Sequence, residues 1–117
     1  SRLRKTPFVK SRSRSVRLSA QTKYIDCKNF SNYRYSVYLG SGSVYFENAD
    51  KYAGGGVLNI KCELGNLEIH VPSEWRLATD IETTLGNTEV EQGGNESGPL
   101  LTIKGICNKA NVQITFT

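Results

Sequence analysis

The 117-residue chain contains no methionine, one tryptophan, one histidine and three prolines. It has no apolar run near the ~18 residues that a membrane-spanning helix requires. No charged-then-apolar leader marks a signal peptide. The chain begins at Ser1 without a methionine and reads as a piece of a longer protein. Its three cysteines, Cys27, Cys62 and Cys107, cannot all pair within one chain. They form neither a CxxC nor a Cys/His spacing with His70, which argues against a disulfide scaffold or a zinc site. Buried free thiols acting as small apolar residues are the expectation. Asn29-Phe30-Ser31 and Asn95-Glu96-Ser97 fit a glycosylation sequon but stand without any other sign of a secretory route.

Acid is missing from one end. Residues 1 to 17 hold Arg2, Arg4, Lys5, Lys10, Arg12, Arg14 and Arg17 and no carboxylate, a charge of +7. Of the 15 bases in the chain that leaves 8 against all 11 acids, so the remainder is −3 and the overall +4 conceals a basic arm on a mildly acidic body. Residues 1–12 are serine-rich, charged and interrupted by Pro7, and are expected to form a linker ahead of one domain spanning 13–117. The acidic body offers no continuing basic groove for nucleic acid, so no nucleic-acid partner is expected. An excess of Arg and Lys of this kind suits the cytoplasmic side of an anionic membrane surface better.

Period-two patterning is present nearly throughout. Apolar residues alternate at Tyr35, Val37 and Leu39, at Val44 and Phe46, and at Leu58, Ile60, Cys62 and Leu64. The alternation continues at Leu67, Ile69 and Val71, at Trp75, Leu77, Ile81 and Leu85, at Leu101 and Ile103, and at Val112, Ile114 and Phe116. Such short alternating runs between Gly/Asn turns predict an all-β domain with one face of each strand buried. Earlier strands are expected from Ser13 to Ser19 and over Tyr24–Cys27.

The runs also repeat. Leu39-Gly40, Leu64-Gly65-Asn66, Leu85-Gly86-Asn87 and the degenerate Lys109-Ala110-Asn111 recur at intervals of 25, 21 and 24 residues. A recurrence of this length marks stacked repeats. It predicts a right-handed β-helix-like solenoid, although a β-sandwich would produce the same alternation. Gly65 and Gly86 are the expected turn residues, Pro72 a strand stop, and Trp75 a plug over the apolar side of the short strand before it. Aligning the repeats places Cys62, Thr83 and Cys107 level and inward. With coils stacked in sequence order Thr83 would separate the cysteines, whose backbones would lie ~9.6 Å apart over two strand spacings. That distance is beyond disulfide reach. Cys27, near a turn, is expected to be the more reactive thiol.

At Gly65-Asn66-Leu67-Glu68-Ile69 and Val71-Pro72-Ser73-Glu74-Trp75 the sequence resembles the C-terminal domain of the LiaF-like family, the cell wall-active antibiotics response proteins of Gram-positive bacteria. That family repeats a Phe-Gly-Gly-Val-x-Ile phrase and places Val-Pro-x-x-Trp after one copy. Its closing Lys-Gly phrase resembles Leu101-Thr102-Ile103-Lys104-Gly105 running on to Val112-Gln113-Ile114. The resemblance covers about residues 35 to 117. Leucine replaces the usual phenylalanine three times, and Lys109-Ala110-Asn111 departs from the last phrase. The resemblance implies a β-solenoid-like domain attached to membrane helices, restraining a sensor histidine kinase that responds to envelope stress. It carries no catalytic residue.

Candidate chemistry is sparse. His70 lies between inward Ile69 and Val71 and is expected to face solvent near Glu68. Glu89 and Glu91 share one strand face, where paired carboxylates have no cleft to perturb them. Gly54-Gly55-Gly56 lacks the Lys-Ser/Thr ending of a phosphate loop. No activated nucleophile, metal site or cofactor is expected, and the chain is read as a non-enzyme. Tyr38 and Tyr45 fall on the outward parity and are expected to form an exposed aromatic patch for a protein partner. The alternative is an extracytoplasmic solenoid that binds a cell-envelope ligand, a glycan or an antibiotic.

Overall fold

A computed structural model describes residues 19–117. The linker 1–12, the strand expected from Ser13 and the basic residues Arg2, Arg4, Lys5, Lys10, Arg12, Arg14 and Arg17 lie outside the described residues. Nine strands follow in order: β1 Ser19–Asp26, β2 Asn32–Tyr38, β3 Gly40–Glu47, β4 Gly56–Glu63, β5 Asn66–Val71, β6 Arg76–Thr84, β7 Asn87–Val90, β8 Leu100–Asn108 and β9 Asn111–Phe116. They form two sheets, a five-stranded one ordered β1-β3-β5-β9-β7 and a four-stranded one ordered β2-β4-β8-β6. Every strand pair is parallel. Each coil lays one strand in the four-stranded sheet, turns a corner, and returns in the five-stranded sheet, as expected of a solenoid-like β domain.

The corners explain the repeat. Leu39, Leu64, Leu85 and Lys109 all adopt the left-handed conformation, with φ of 56°, 54°, 54° and 53°. The next residue must then pass close under the neighbouring coil. A Cβ at Gly65 would penetrate the carbonyl oxygen of Gly40, and one at Gly86 that of Ala110. The Leu-Gly phrase is therefore a corner of fixed shape. The alternation does not continue through it: Leu39, Leu64 and Leu85 were expected on the apolar faces, yet are 43%, 44% and 76% exposed. A left-handed residue turns its side chain away from the line of its strand.

Between the sheets lie Leu58, Ile60 and Cys62 from β4, Leu101, Ile103 and Cys107 from β8, Leu67, Ile69 and Val71 from β5, and Val112 and Ile114 from β9, all buried. The far corner is closed by aromatic rings. Trp75 is 2% exposed. It stacks on Tyr52 at 4.2 Å and meets Phe46 at 5.0 Å, while Phe30 packs on Phe46 and Tyr52. Pro72 ends β5, and its carbonyl accepts a 3.1 Å bond from the Trp75 N–H, which folds the ring back over the core. Trp75 is thus the expected plug.

Two expectations need correction. Cys62, Cys107 and Thr83 are level, as aligned, but the coils do not stack in sequence order. Coil β8/β9 sits between β4/β5 and β6/β7, so Cys62 pairs directly with Cys107 and Thr83 lies beyond Cys107. All three cysteines are nevertheless free. Cys27 is 3% exposed, against 0% for Cys62 and Cys107, and belongs to the same buried core despite its place beside a turn.

Candidate contact surface

Coil order sets which corner residues are neighbours. Along the ridge they run Leu39, Leu64, Lys109, Leu85, one strand spacing of ~4.8 Å apart. Tyr38, 65% exposed at the end of β2, stands beside Leu39. The result is an exposed apolar ridge with one cation set into it. Neither backbone nor burial favours leucine there. The left-handed conformation costs an L-residue roughly 1–2 kcal/mol, and Gly or Asn is the ordinary occupant. Exposed leucines are unremarkable singly, but three at equivalent corners form a continuous feature. The parity of the strands hid these residues. The visible signal was the apolar residue before each corner glycine.

Tyr45 is placed elsewhere. It lies on the outer face of the five-stranded sheet, stacked on Tyr24 at 5.4 Å and on His70 at 4.4 Å with 2° between the planes. Tyr38 belongs to the other sheet, so the two tyrosines do not form one patch. His70 is less solvated than expected, its side chain 21% exposed. Its Nδ1 lies 3.2 Å from the Thr115 hydroxyl, and its Nε2 is 3.5 Å from the Glu68 carboxylate, without hydrogen-bond geometry. The tyrosine row is thereby locked into the sheet surface.

Beside that row, Ser41, Ser43, Asn66, Glu68, Asn111 and Gln113 line a shallow groove of about 360 Å³. The Asn111 side-chain Nδ2 donates to the Asn66 Oδ1 across 3.2 Å, which keeps the amides in register. Glu89 is on the same sheet face, and Glu91, just past β7, is tied down by a 2.8 Å bond from the Phe116 N–H. Among the described residues no three His, Cys, Asp or Glu side chains gather as metal ligands would. Burial of Cys27 and Cys62 raises both thiols to about 11, which keeps them protonated and poor nucleophiles.

No known protein family, curated protein or solved structure matches this chain.

Proposed function

We propose that this domain is the non-catalytic C-terminal contact domain of a membrane-anchored regulator of envelope-stress signalling. In this reading the ridge of Tyr38, Leu39, Leu64, Lys109 and Leu85 docks a protein partner, a sensor histidine kinase. The basic arm, Arg2 through Arg17, lies against the anionic cytoplasmic face of the membrane. The observation that carries the reading is the three exposed leucines held in a left-handed backbone that disfavours them. The resemblance in sequence supplies the identity of the partner and the envelope-stress setting.

The test follows from the same conformational preference. Asn accepts the left-handed conformation better than Leu. The triple variant Leu39→Asn/Leu64→Asn/Leu85→Asn should therefore fold at least as stably while removing the apolar ridge. It is to be introduced into the membrane-anchored protein, co-expressed with a histidine kinase encoded beside it, and scored by kinase autophosphorylation in isolated membranes. Loss of restraint with an unchanged melting temperature is the expected result. Unaltered restraint by the variant removes the ridge from the reading.

The polar groove on the five-stranded sheet favours a second use, recognition of a cell-envelope glycan. Amides, hydroxyls and a carboxylate set in register there could match sugar hydroxyls, next to the tyrosine row. Titration with soluble peptidoglycan fragments, with Asn66→Ala/Asn111→Ala as control, separates the two.

A further inference from the structure

The two ends of the solenoid are finished differently. At the β1/β2 end of the described residues, Lys23 occupies an inward position, level with Val44, and lies 5.2 Å from the centre of the Tyr33 ring. An inward-pointing charge on an edge strand is a device against further pairing. At the other end, β6 is the last strand of the four-stranded sheet among the described residues. Its inward positions are Leu77, Thr79, Ile81 and Thr83; the first and third are only half-buried and the threonines are exposed. A 2.7 Å bond between the Thr83 and Thr88 hydroxyls spans the two sheets there. β6 is nine residues long and contains no proline. An open edge of this length is a template for another strand.

Backbone direction defines what can pair with it. The Arg76 N–H donates to Pro99, and the Thr84 carbonyl accepts from Lys109, so the even-numbered residues of β6 turn their peptide groups toward β8. Leu77, Thr79, Ile81 and Thr83 turn theirs outward. A second copy related by a two-fold axis perpendicular to the sheet would present the same four residues in antiparallel orientation, as an isologous interface requires.

Charge then selects the register. Centring the axis on Asp80 sets Asp80 opposite its own mate. Centring on Ile81 sets Asp80 opposite Glu82, and centring on Ala78 sets Arg76 opposite Asp80 but confines the ladder to residues 76–80, because β6 begins at Arg76. Like charges directly opposite are destabilising. The start of the edge is also occupied, because the Trp75 carbonyl already accepts from Asn95. Centring on Thr79 sets Arg76 opposite Glu82 twice, Asp80 opposite Ala78, and, on the core side, Leu77 opposite Ile81 twice. Of the three registers that use the longer part of the edge, centred on Thr79, Asp80 or Ile81, it is the one without a like-charge pair. We infer that β6 is a self-association edge, on which a second copy of this chain pairs antiparallel about Thr79 and extends the four-stranded sheet across the two-fold axis.

Sedimentation equilibrium of the full 117-residue chain tests this. The chain should show a monomer–dimer equilibrium. Arg76→Glu reverses two symmetry-related cross-strand pairs and should weaken the dimer roughly tenfold. Arg76→Glu/Glu82→Arg restores opposite charges and should recover it. Thr79→Pro deletes an N–H that only the dimer uses, at an edge position where proline is tolerated. It should leave a folded monomer by circular dichroism. Thr79→Cys should give a covalent dimer on mild oxidation by a small disulfide, whereas Asp80→Cys should not. A monomer at every concentration overturns the proposal. So does a dimer that survives both Thr79→Pro and Arg76→Glu, or an open-ended series of larger species. Should Thr79→Pro fail to fold, the Arg76/Glu82 exchange and the cysteine cross-link decide the outcome.

Discussion

Cys62 on β4 and Cys107 on β8 stand directly opposite one another, each fully buried, although three strands, β5, β6 and β7, separate β4 from β8 along the chain. Strand spacing brings their backbones to ~4.8 Å, so distance does not keep the thiols apart. Burial protects them, along with Cys27. Thiol-specific reagents should leave all three cysteines unlabelled in the native chain and label all three at once on unfolding, as read by intact mass against denaturant. Selective early labelling of Cys27 is no longer expected.

The same burial makes stability depend on alkaline pH. Cys27 and Cys62 rise from the ordinary 9.0 to about 11 in the fold, with burial as the main cause and Asp26 beside Cys27 and the Cys107 thiol beside Cys62 adding to it. Above 9 the unfolded chain loses these protons while the folded chain keeps them. The stability contribution is thus complete below about 9 and is lost as pH rises toward about 11. Denaturant unfolding measured across that window should show the decline, and Cys27→Ala/Cys62→Ala should flatten it.

Trp75→Ala removes the ring that covers the core corner against Tyr52 and Phe46. Truncating a buried aromatic of this size costs ~3–5 kcal/mol. Urea unfolding of the variant should show a loss in that range, and a loss under ~1 kcal/mol would mean the corner closes by other contacts.

Corner chemistry predicts opposite signs for adjacent residues. Gly86→Ala should destabilise the chain by more than ~1 kcal/mol, because the new methyl meets the Ala110 carbonyl. Leu85→Gly, one residue earlier at φ 54°, should be neutral or should raise the melting temperature, since glycine adopts that conformation without steric cost. Thermal unfolding of the two single variants measures both.

How far the sequence reveals this arrangement differs by feature. Strand faces were legible because alternation at Leu58, Ile60 and Cys62, or at Leu67, Ile69 and Val71, has no other outlet than a half-buried strand. The level of Cys62, Thr83 and Cys107 was legible for the same reason. Their order was not, because residues on one ladder are level whichever coil lies between. A clue was present in Thr79 and Thr83: polar residues at inward positions are least costly in an outermost coil, whereas Leu101 and Ile103 suit an enclosed one. The exposed leucines escaped because parity continues through a corner on paper but not through a residue with φ near +55°. Tyr38 and Tyr45 share an outward parity, yet parity alone does not say which of two sheets a strand joins.

The displaced order of the coils has a consequence for biosynthesis. β6 and β7 leave the ribosome before β8 and β9, yet among the described residues their only sheet neighbours are β8 and β9. A growing chain can lay β3, β4 and β5 on β1, β2 and β3 as each emerges. The β6/β7 coil has no native partner until β8 and β9 emerge, which leaves Leu77 and Ile81 without their neighbours in the sheet. Completion is therefore an insertion between two existing layers and not a simple addition at the end. The interval before it is when a nascent chain is most open to chaperones, to proteases and to pairing with the wrong strand.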